Sequence, residues 1–107
     1  MARVVAVVSD LMLASRVTTA LEAAGHDVQQ TAVLPDELDG ADLVVADLDA
    51  ADPERLGSLG VPVLGFYQHT DPETKQRADE AGLALAVPRS RMVRELPELA
   101  ERLLAEG

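Results

Sequence analysis

The stretch VVAVVSD at residues 4–10 decides the fold class. Its five apolar residues form a continuous, mostly β-branched run, which predicts a strand buried on both faces of a parallel sheet. The polar pair at its end offers a helix N-cap, and apolar residues then recur at spacings of three and four at Leu13, Val17 and Leu21. The segment therefore predicts a strand followed by a helix.

The same strand–helix pattern continues along the chain. Further strands are predicted at residues 26–33, 42–47, 61–66 and 83–87, and helices at 35–38, 52–57, 71–82 and 97–104. Because strands and helices alternate, the sheet should be parallel and covered on both faces. We predict a three-layer, doubly wound α/β fold with five strands in the order 2-1-3-4-5. Its second and third helices should be shortened, and residues 1–107 should form a single domain.

The composition excludes several kinds of protein. The 107 residues include 9 basic and 19 acidic ones, a formal charge of −10, which argues against nucleic acid or an anionic membrane as partner. Cysteine is absent, which excludes thiolate metal sites and a cysteine nucleophile. No stretch approaches the length of a membrane-spanning helix, so a cytoplasmic location is expected.

Two acidic residues should meet at the carboxyl edge of the sheet. Asp10 and Asp47 each follow a buried strand, and those strands should be neighbours. With Asp49 they could hold a hard cation such as Mg²⁺, and His69 could complete a transition-metal site. The alternative is structural, because a polar residue has to end a buried strand and Asp10 caps a helix in any case.

Known enzyme signatures are absent. Residues 9–12, Ser-Asp-Leu-Met, contain no glycine, which removes the dinucleotide fingerprint and the P-loop. No Gly-x-Ser-x-Gly sequence occurs either. We therefore predict that the protein is not an enzyme.

The order of these segments resembles the receiver domain of bacterial two-component response regulators. The resemblance is carried by residues 4–10, the acidic segment 42–49, the strand at 62–64 and the Val-Pro pair at 87–88. It implies that Asp47 stands at the phosphoacceptor position and Asp10 at the second acid of a Mg²⁺-binding pair. Three positions depart from the family, because Ser9 replaces the first acid, Tyr67 the small hydroxyl residue and Val87 the lysine.

These departures bear on phosphoryl transfer, which depends on positioning and on stabilising negative charge. Loss of one oriented donor typically costs about a hundred- to a thousandfold in rate. Here a lysine and a carboxylate are missing, and the ring of Tyr67 could crowd the space of a phosphate. We therefore expect a receiver-like domain that is not phosphorylated.

A basic cluster follows the last strand. Arg89 and Arg91 flank Ser90 at the start of a helical segment, where a helix N-terminus and guanidinium groups favour an anion or an acidic partner surface. The alternative is that these arginines lie on a solvated helix face.

Three functions remain open from the sequence. The preferred one is a stand-alone receiver-like signalling module that binds a protein, such as a sensor kinase or an output protein, or that dimerises through its last two helices. Met92, Val93 and Leu96 would supply the contact strip. The second is an atypical receiver that accepts phosphate on Asp47 with Mg²⁺, Arg89 replacing the lysine. The third is a small-ligand or metal-binding flavodoxin-like protein.

Overall fold

The computed structural model describes residues 2–36, 38, 40–68 and 72–106, which form five strands and four helices. In chain order these are β1 (Arg3–Val7), α1 (Leu11–Ala23), β2 (Asp27–Thr31), β3 (Leu43–Asp47), α2 (Pro53–Gly57), β4 (Val63–Tyr67), α3 (Pro72–Glu80), β5 (Leu85–Pro88) and α4 (Arg89–Glu106).

All five strands are parallel and lie in the order β2-β1-β3-β4-β5, which confirms the predicted sheet. β1 and β3 are adjacent, with Val7 opposite Ala46. The carboxyl ends of both strands therefore lie at one edge of the sheet, as the crossover rule requires. β2 is an edge strand and is largely exposed, in agreement with its polar Gln29 and Gln30.

Side chains that alternate along the strands form two separate cores. Val4, Ala6 and Val8 pack with α1 and α4 in what we call the α1/α4 core. Val5 and Val7 point to the other face and pack with Leu56 of α2 and Ala78 of α3, in the α2/α3 core. The continuous valine run at the start of the chain is thus explained by burial on both faces.

α4 differs from the sequence-based expectation. The last helix was predicted at residues 97–104, beginning at Pro97, but one helix runs from Arg89 to Glu106 with Pro97 inside it. Proline removes one helical hydrogen bond. Its cost is offset because Met92 and Leu96 before it, and Leu99 after it, are all buried in the α1/α4 core. No helix in the described ranges is long and apolar enough to cross a membrane.

The predicted helical turn at 35–38 is not present in the described residues of that segment, 32–36, 38 and 40–42. Leu34, Leu38 and Ala41 instead lie in a loop that packs against the α2/α3 core. The prediction of a helix at 35–38 is therefore wrong. The short helix predicted at 52–57 is confirmed, because α2 is only five residues long.

α2 is held against the end of α3 by a close backbone approach. A Cβ atom added to Gly57 would overlap the backbone carbonyl of Ala81. A side chain at this position would therefore push the two helices apart. The close approach places α2 beside the end of α3, and Leu56, which is fully buried, packs α2 into the α2/α3 core.

Candidate functional site

Asp10 lies at the carboxyl edge of the sheet and uses both carboxylate oxygens. Its Oδ1 accepts hydrogen bonds from the backbone N–H groups of Met12 (3.0 Å) and Leu13 (3.2 Å), so the residue caps α1. Its Oδ2 lies 3.8 Å from a guanidinium nitrogen of Arg89, at the start of α4. The predicted cap is present, and the second oxygen faces a cation supplied by the chain itself.

Asp47 ends β3 and is half-buried. Its Oδ1 accepts a hydrogen bond from the backbone N–H of Asp49 at 2.9 Å. Burial raises the pKa of Asp47 above its usual value, and the charges of Asp49 and Asp10 raise it too, while the hydrogen bond from Asp49 and the charge of Arg89 lower it. Asp10, Asp47 and Arg89 are therefore close enough to interact electrostatically. This agrees with the prediction that the two acids lie near each other.

Asp49 connects this loop to the neighbouring strand. Its Oδ2 accepts a hydrogen bond from the backbone N–H of Gln68, the residue after β4, at 3.2 Å. Each of the three carboxylates thus has at least one oxygen that accepts a backbone N–H. Much of the acidic cluster is explained by local structure, because these bonds fix the ends of β3, β4 and the start of α1.

The described part of the chain contains no group of three or more acidic or histidine side chains arranged to hold a metal ion. Asp10, Asp47 and Asp49 are near one another, but they do not form such a group. His69 lies outside the described residues. A Mg²⁺ ion held by the acidic pair therefore stays a prediction.

The basic cluster is arranged differently from the prediction. Arg89 and Ser90 line a cleft at the start of α4, but Arg91 forms an ion pair with Glu95 on its own helix at 3.4 Å. Arg16 of α1 and Gln68 line the cleft instead. Gln68 could have been predicted, because it follows the end of β4 and sites in this fold lie at the carboxyl edge. Arg16 lies within α1, and no local sequence pattern distinguishes it.

Comparison with known proteins gives matches only among solved structures; no family model and no curated protein matches the chain. A CheY-like receiver domain protein from Methanospirillum hungatei has a TM-score of 0.85 at 19% identity, covering 99% of this chain and 95% of that one. A receiver domain protein from Clostridium thermocellum has a TM-score of 0.84 at 12% identity, with 99% and 96% coverage. An orphan response regulator of H. pylori has a TM-score of 0.81 at 20% identity, with 96% coverage of both chains. This chain has the receiver fold.

Within the receiver fold, the three departing positions have distinct surroundings. Ser9 is exposed and directly precedes Asp10. Val87 is 1% exposed and lies in the α1/α4 core opposite Phe66, so an aliphatic side chain fills the place of the family's lysine. The nearest cation after it in the chain is Arg89, two residues further on.

Tyr67 is buried in the α2/α3 core, with 7% of the residue exposed. Asp47 is opposite Phe66 in the sheet, and Phe66 belongs to the α1/α4 core. Because successive side chains in a strand point to opposite faces, the ring of Tyr67 lies on the face away from Asp47. The expectation that this ring crowds the phosphoacceptor position was wrong.

Proposed function

We propose that the chain is a receiver-like signalling module that binds a protein partner and is not phosphorylated. The observation that carries the proposal is the position of Arg89, whose guanidinium lies 3.8 Å from Oδ2 of Asp10. In the receiver family that acid helps hold a divalent cation. Here a positive charge belonging to the protein occupies its free side.

The contacts of Asp10 support the absence of metal-dependent chemistry. One oxygen is engaged by two amides of α1, and the other faces Arg89. The guanidinium competes with a Mg²⁺ ion for this oxygen, and Ser9 supplies no second carboxylate. With Val87 buried where the family has a lysine, the site lacks that lysine, and Arg89, whose charge acts on Asp47, also lies beside Asp10.

The contact surface has to be revised from the prediction. Met92 and Leu96 of the predicted strip are 0% and 2% exposed and pack in the α1/α4 core, so they are not available to a partner. Among the described residues, the large apolar side chains that are exposed are Leu11 (78%), Met12 (81%) and Val33 (71%). Leu11 and Met12 begin α1 after β1, and Val33 lies two residues after the end of β2, so all three are near the carboxyl edge.

We infer that these three residues, the apolar rim, form the protein contact. Exposed apolar side chains that occur singly need no explanation, but two consecutive ones beside Asp10 and a third after the neighbouring strand favour an interaction site. A sensor kinase or an output protein as partner stays a prediction. The same holds for a homodimer through α3 and α4, and for the cytoplasmic location.

The phosphorylation half of the proposal is tested by intact mass measurement after incubation with acetyl phosphate and Mg²⁺. We expect no gain of a phosphoryl group, while an active receiver domain treated in parallel gains one. A gain that disappears in Asp47→Asn would overturn the proposal.

The contact half is tested with two charge-introducing variants on the same helix. Met12→Lys changes the apolar rim at the start of α1, and Ala23→Lys changes an exposed position at the other end of the helix. We expect a partner that co-purifies with the wild-type protein from its native host to be lost with Met12→Lys and kept with Ala23→Lys. Equal recovery with both variants would remove the apolar rim as the contact surface.

The second candidate function is an atypical receiver in which Asp47 accepts phosphate and Arg89 replaces the lysine. It is favoured by the half-buried position of Asp47 and by the charge of Arg89, which lowers the pKa of Asp47 and so favours its charged form. Besides the mass measurement, thermal unfolding with and without millimolar Mg²⁺ separates the two candidates. A rise in Tm with Mg²⁺ that is absent in Asp10→Asn would favour the second candidate, because only a ligand of the native state stabilises it.

A further inference from the structure

A cleft of about 440 Å³ opens between α1 and the start of α4, beside the acidic cluster. Its walls come from three places in the chain that meet at the carboxyl edge: one residue of α1, the residue after β4, and the junction of β5 with α4. The lining residues are Arg16, Gln68, Pro88, Arg89, Ser90 and Val93. Its volume is in the range of small-molecule sites.

The charges in this cleft are unusual for so acidic a protein. Arg16 has no ion-pair partner among the described residues, whereas every other Lys or Arg side chain there except Arg3 lies beside a carboxylate. No acidic residue lines the cleft. Arg89 forms an ion pair with Asp10, which lies outside the lining, at 3.8 Å. The chain carries 19 acidic residues, yet two arginines share a cleft without a carboxylate in it.

The start of α4 adds further donors. α1 and α2 have their first amides capped by the side chains of Asp10 and Asp52. β5 ends at Pro88 and α4 begins at Arg89, and no side chain in the described ranges accepts from the first amides of α4. These amides and the hydroxyl of Ser90 are donors at the positive end of an 18-residue helix.

An apolar groove continues from the cationic cleft. A second, shallow cavity of about 150 Å³ shares Arg16 and Val93 with the first and lies between α1 and α4. Ala20 and Val93 are its partly exposed apolar residues, and the buried Val17, Met92 and Leu96 form its floor. A ligand with a charged group between the arginines could therefore extend an apolar portion along this groove. The two cavities together suit an amphipathic anion.

We propose that the cleft binds a small phosphomonoester that carries an apolar or aromatic group. A phosphate monoester has a charge near −2 at neutral pH, which matches the unpaired guanidinium of Arg16 together with that of Arg89, whose contact to Asp10 is a 3.8 Å ion pair at the edge of the cleft. Guanidinium groups bind phosphate oxygens in a bidentate manner, and the α4 amides and Ser90 supply additional donors. Val93 and the groove beyond it contact the apolar group. Asp47 does not line this cleft, and the site does not depend on the proposed protein contact.

The test is an NMR titration of the ¹⁵N-labelled protein with phenyl phosphate in buffer without Mg²⁺, with inorganic phosphate and benzoate as comparison ligands. We expect saturable shifts of the amides of Arg16, Ser90 and Val93, with phenyl phosphate bound more tightly than either comparison ligand. Benzoate that binds as tightly would overturn the phosphate assignment, and inorganic phosphate that binds as tightly would overturn the role of the groove. No saturable shift at millimolar phenyl phosphate would overturn the site.

Matched variants separate this cleft from general charge effects. Arg16→Gln should weaken phenyl phosphate binding about tenfold or more, because it removes a charge-assisted contact. Arg94→Gln removes the same charge from an exposed position outside the cleft, where the side chain pairs with Glu95, and should leave binding unchanged. Equal affinity of both variants would contradict the proposal. Asp47→Asn removes a negative charge near Arg89 and should bind phenyl phosphate at least as tightly as the wild type. Phosphorylation of Asp47 in the mass measurement would overturn the proposed function and leave this site standing.

Discussion

The two sides of the sheet are built in different ways. The α1/α4 side has helices of 13 and 18 residues over a large aliphatic core, whereas the α2/α3 side has helices of five and nine residues. Three charged residues near the carboxyl edge lie in or next to the helices of the α1/α4 side: Asp10 and Arg16 at α1 and Arg89 at α4. On the α2/α3 side, the ring of Tyr67 packs in the core with the side chains of the short helices. Changes on the two sides should therefore affect different properties of the protein.

The largest effect is expected on the α2/α3 side, from Gly57→Ala. The added methyl group meets the backbone carbonyl of Ala81, which has no freedom to rotate away. We expect a loss of about 3 kcal/mol or more in the free energy of unfolding, measured by urea denaturation. Gly60→Ala is the control, since its Cβ would have open space and only its positive φ of 76° opposes it. That variant should cost about 1 kcal/mol. Equal costs would show that α2 and α3 are not held by this contact.

Tyr67→Thr comes next and restores the residue type of the receiver family. Because the ring is buried in the α2/α3 core, we expect a loss of about 3 kcal/mol in unfolding free energy and no gain of phosphorylation. Tyr67→Phe keeps the ring and should lose far less. A stable Tyr67→Thr protein that gains a phosphoryl group from acetyl phosphate would place this residue at the site and contradict the assignment to the opposite face.

Asp10→Ala should have a smaller effect, on the α1/α4 side. The variant loses the acceptor for the amides of Met12 and Leu13, and caps of this kind are worth about 1 kcal/mol. Asp10→Asn keeps the acceptor and should unfold close to the wild type, because an exposed ion pair such as that with Arg89 contributes little. If both variants lose the same stability, the ion pair and not the cap is the main contribution of Asp10.

The smallest effect is expected from Asp47→Asn, and this variant should raise the free energy of unfolding where the others lower it. Because the pKa of Asp47 is raised in the folded state, the folded protein keeps the proton at pH values where the unfolded chain has lost it. The resulting stabilisation is present at low pH and is lost as the pH rises through the raised pKa. The variant should therefore be slightly more stable than the wild type at pH 7.

The difference in stability between the wild type and Asp47→Asn should disappear at pH values below 3.8, the usual pKa of an aspartate. Thermal unfolding of both proteins between pH 3 and pH 7 measures it. A variant less stable than the wild type at pH 7 would show that the bond from the Asp49 amide, not burial, dominates at this position.

The sheet could be predicted because each strand carries its own pattern. The run at residues 4–8 is buried on both faces, and the Asp-Pro-Glu sequence at 52–54 begins a helix with a cap and a first-turn proline, as expected. Such local signals need no knowledge of the rest of the chain. The order of the strands followed from their alternation with helices.

The parts that could not be predicted depend on contacts between distant residues. Pro97 remains within α4 because buried side chains on both sides of it bind the helix to the same core. Arg91 turns to Glu95 of its own helix, whereas Arg16 comes to the cleft from α1. Val87 and Tyr67 were recognised as departures from the receiver family, but the face to which Tyr67 points required the register of β3 and β4.

The direct junction of β5 and α4 has a mechanical consequence. No loop separates Pro88 from Arg89, so no slack exists between the last strand and the last helix. α4 then extends for about 27 Å, and its other end lies by Leu104 and Ala105. The position of Arg89 at the carboxyl edge is therefore set by the end of β5 and by the packing of α4 on the α1/α4 core, with no flexible segment between them.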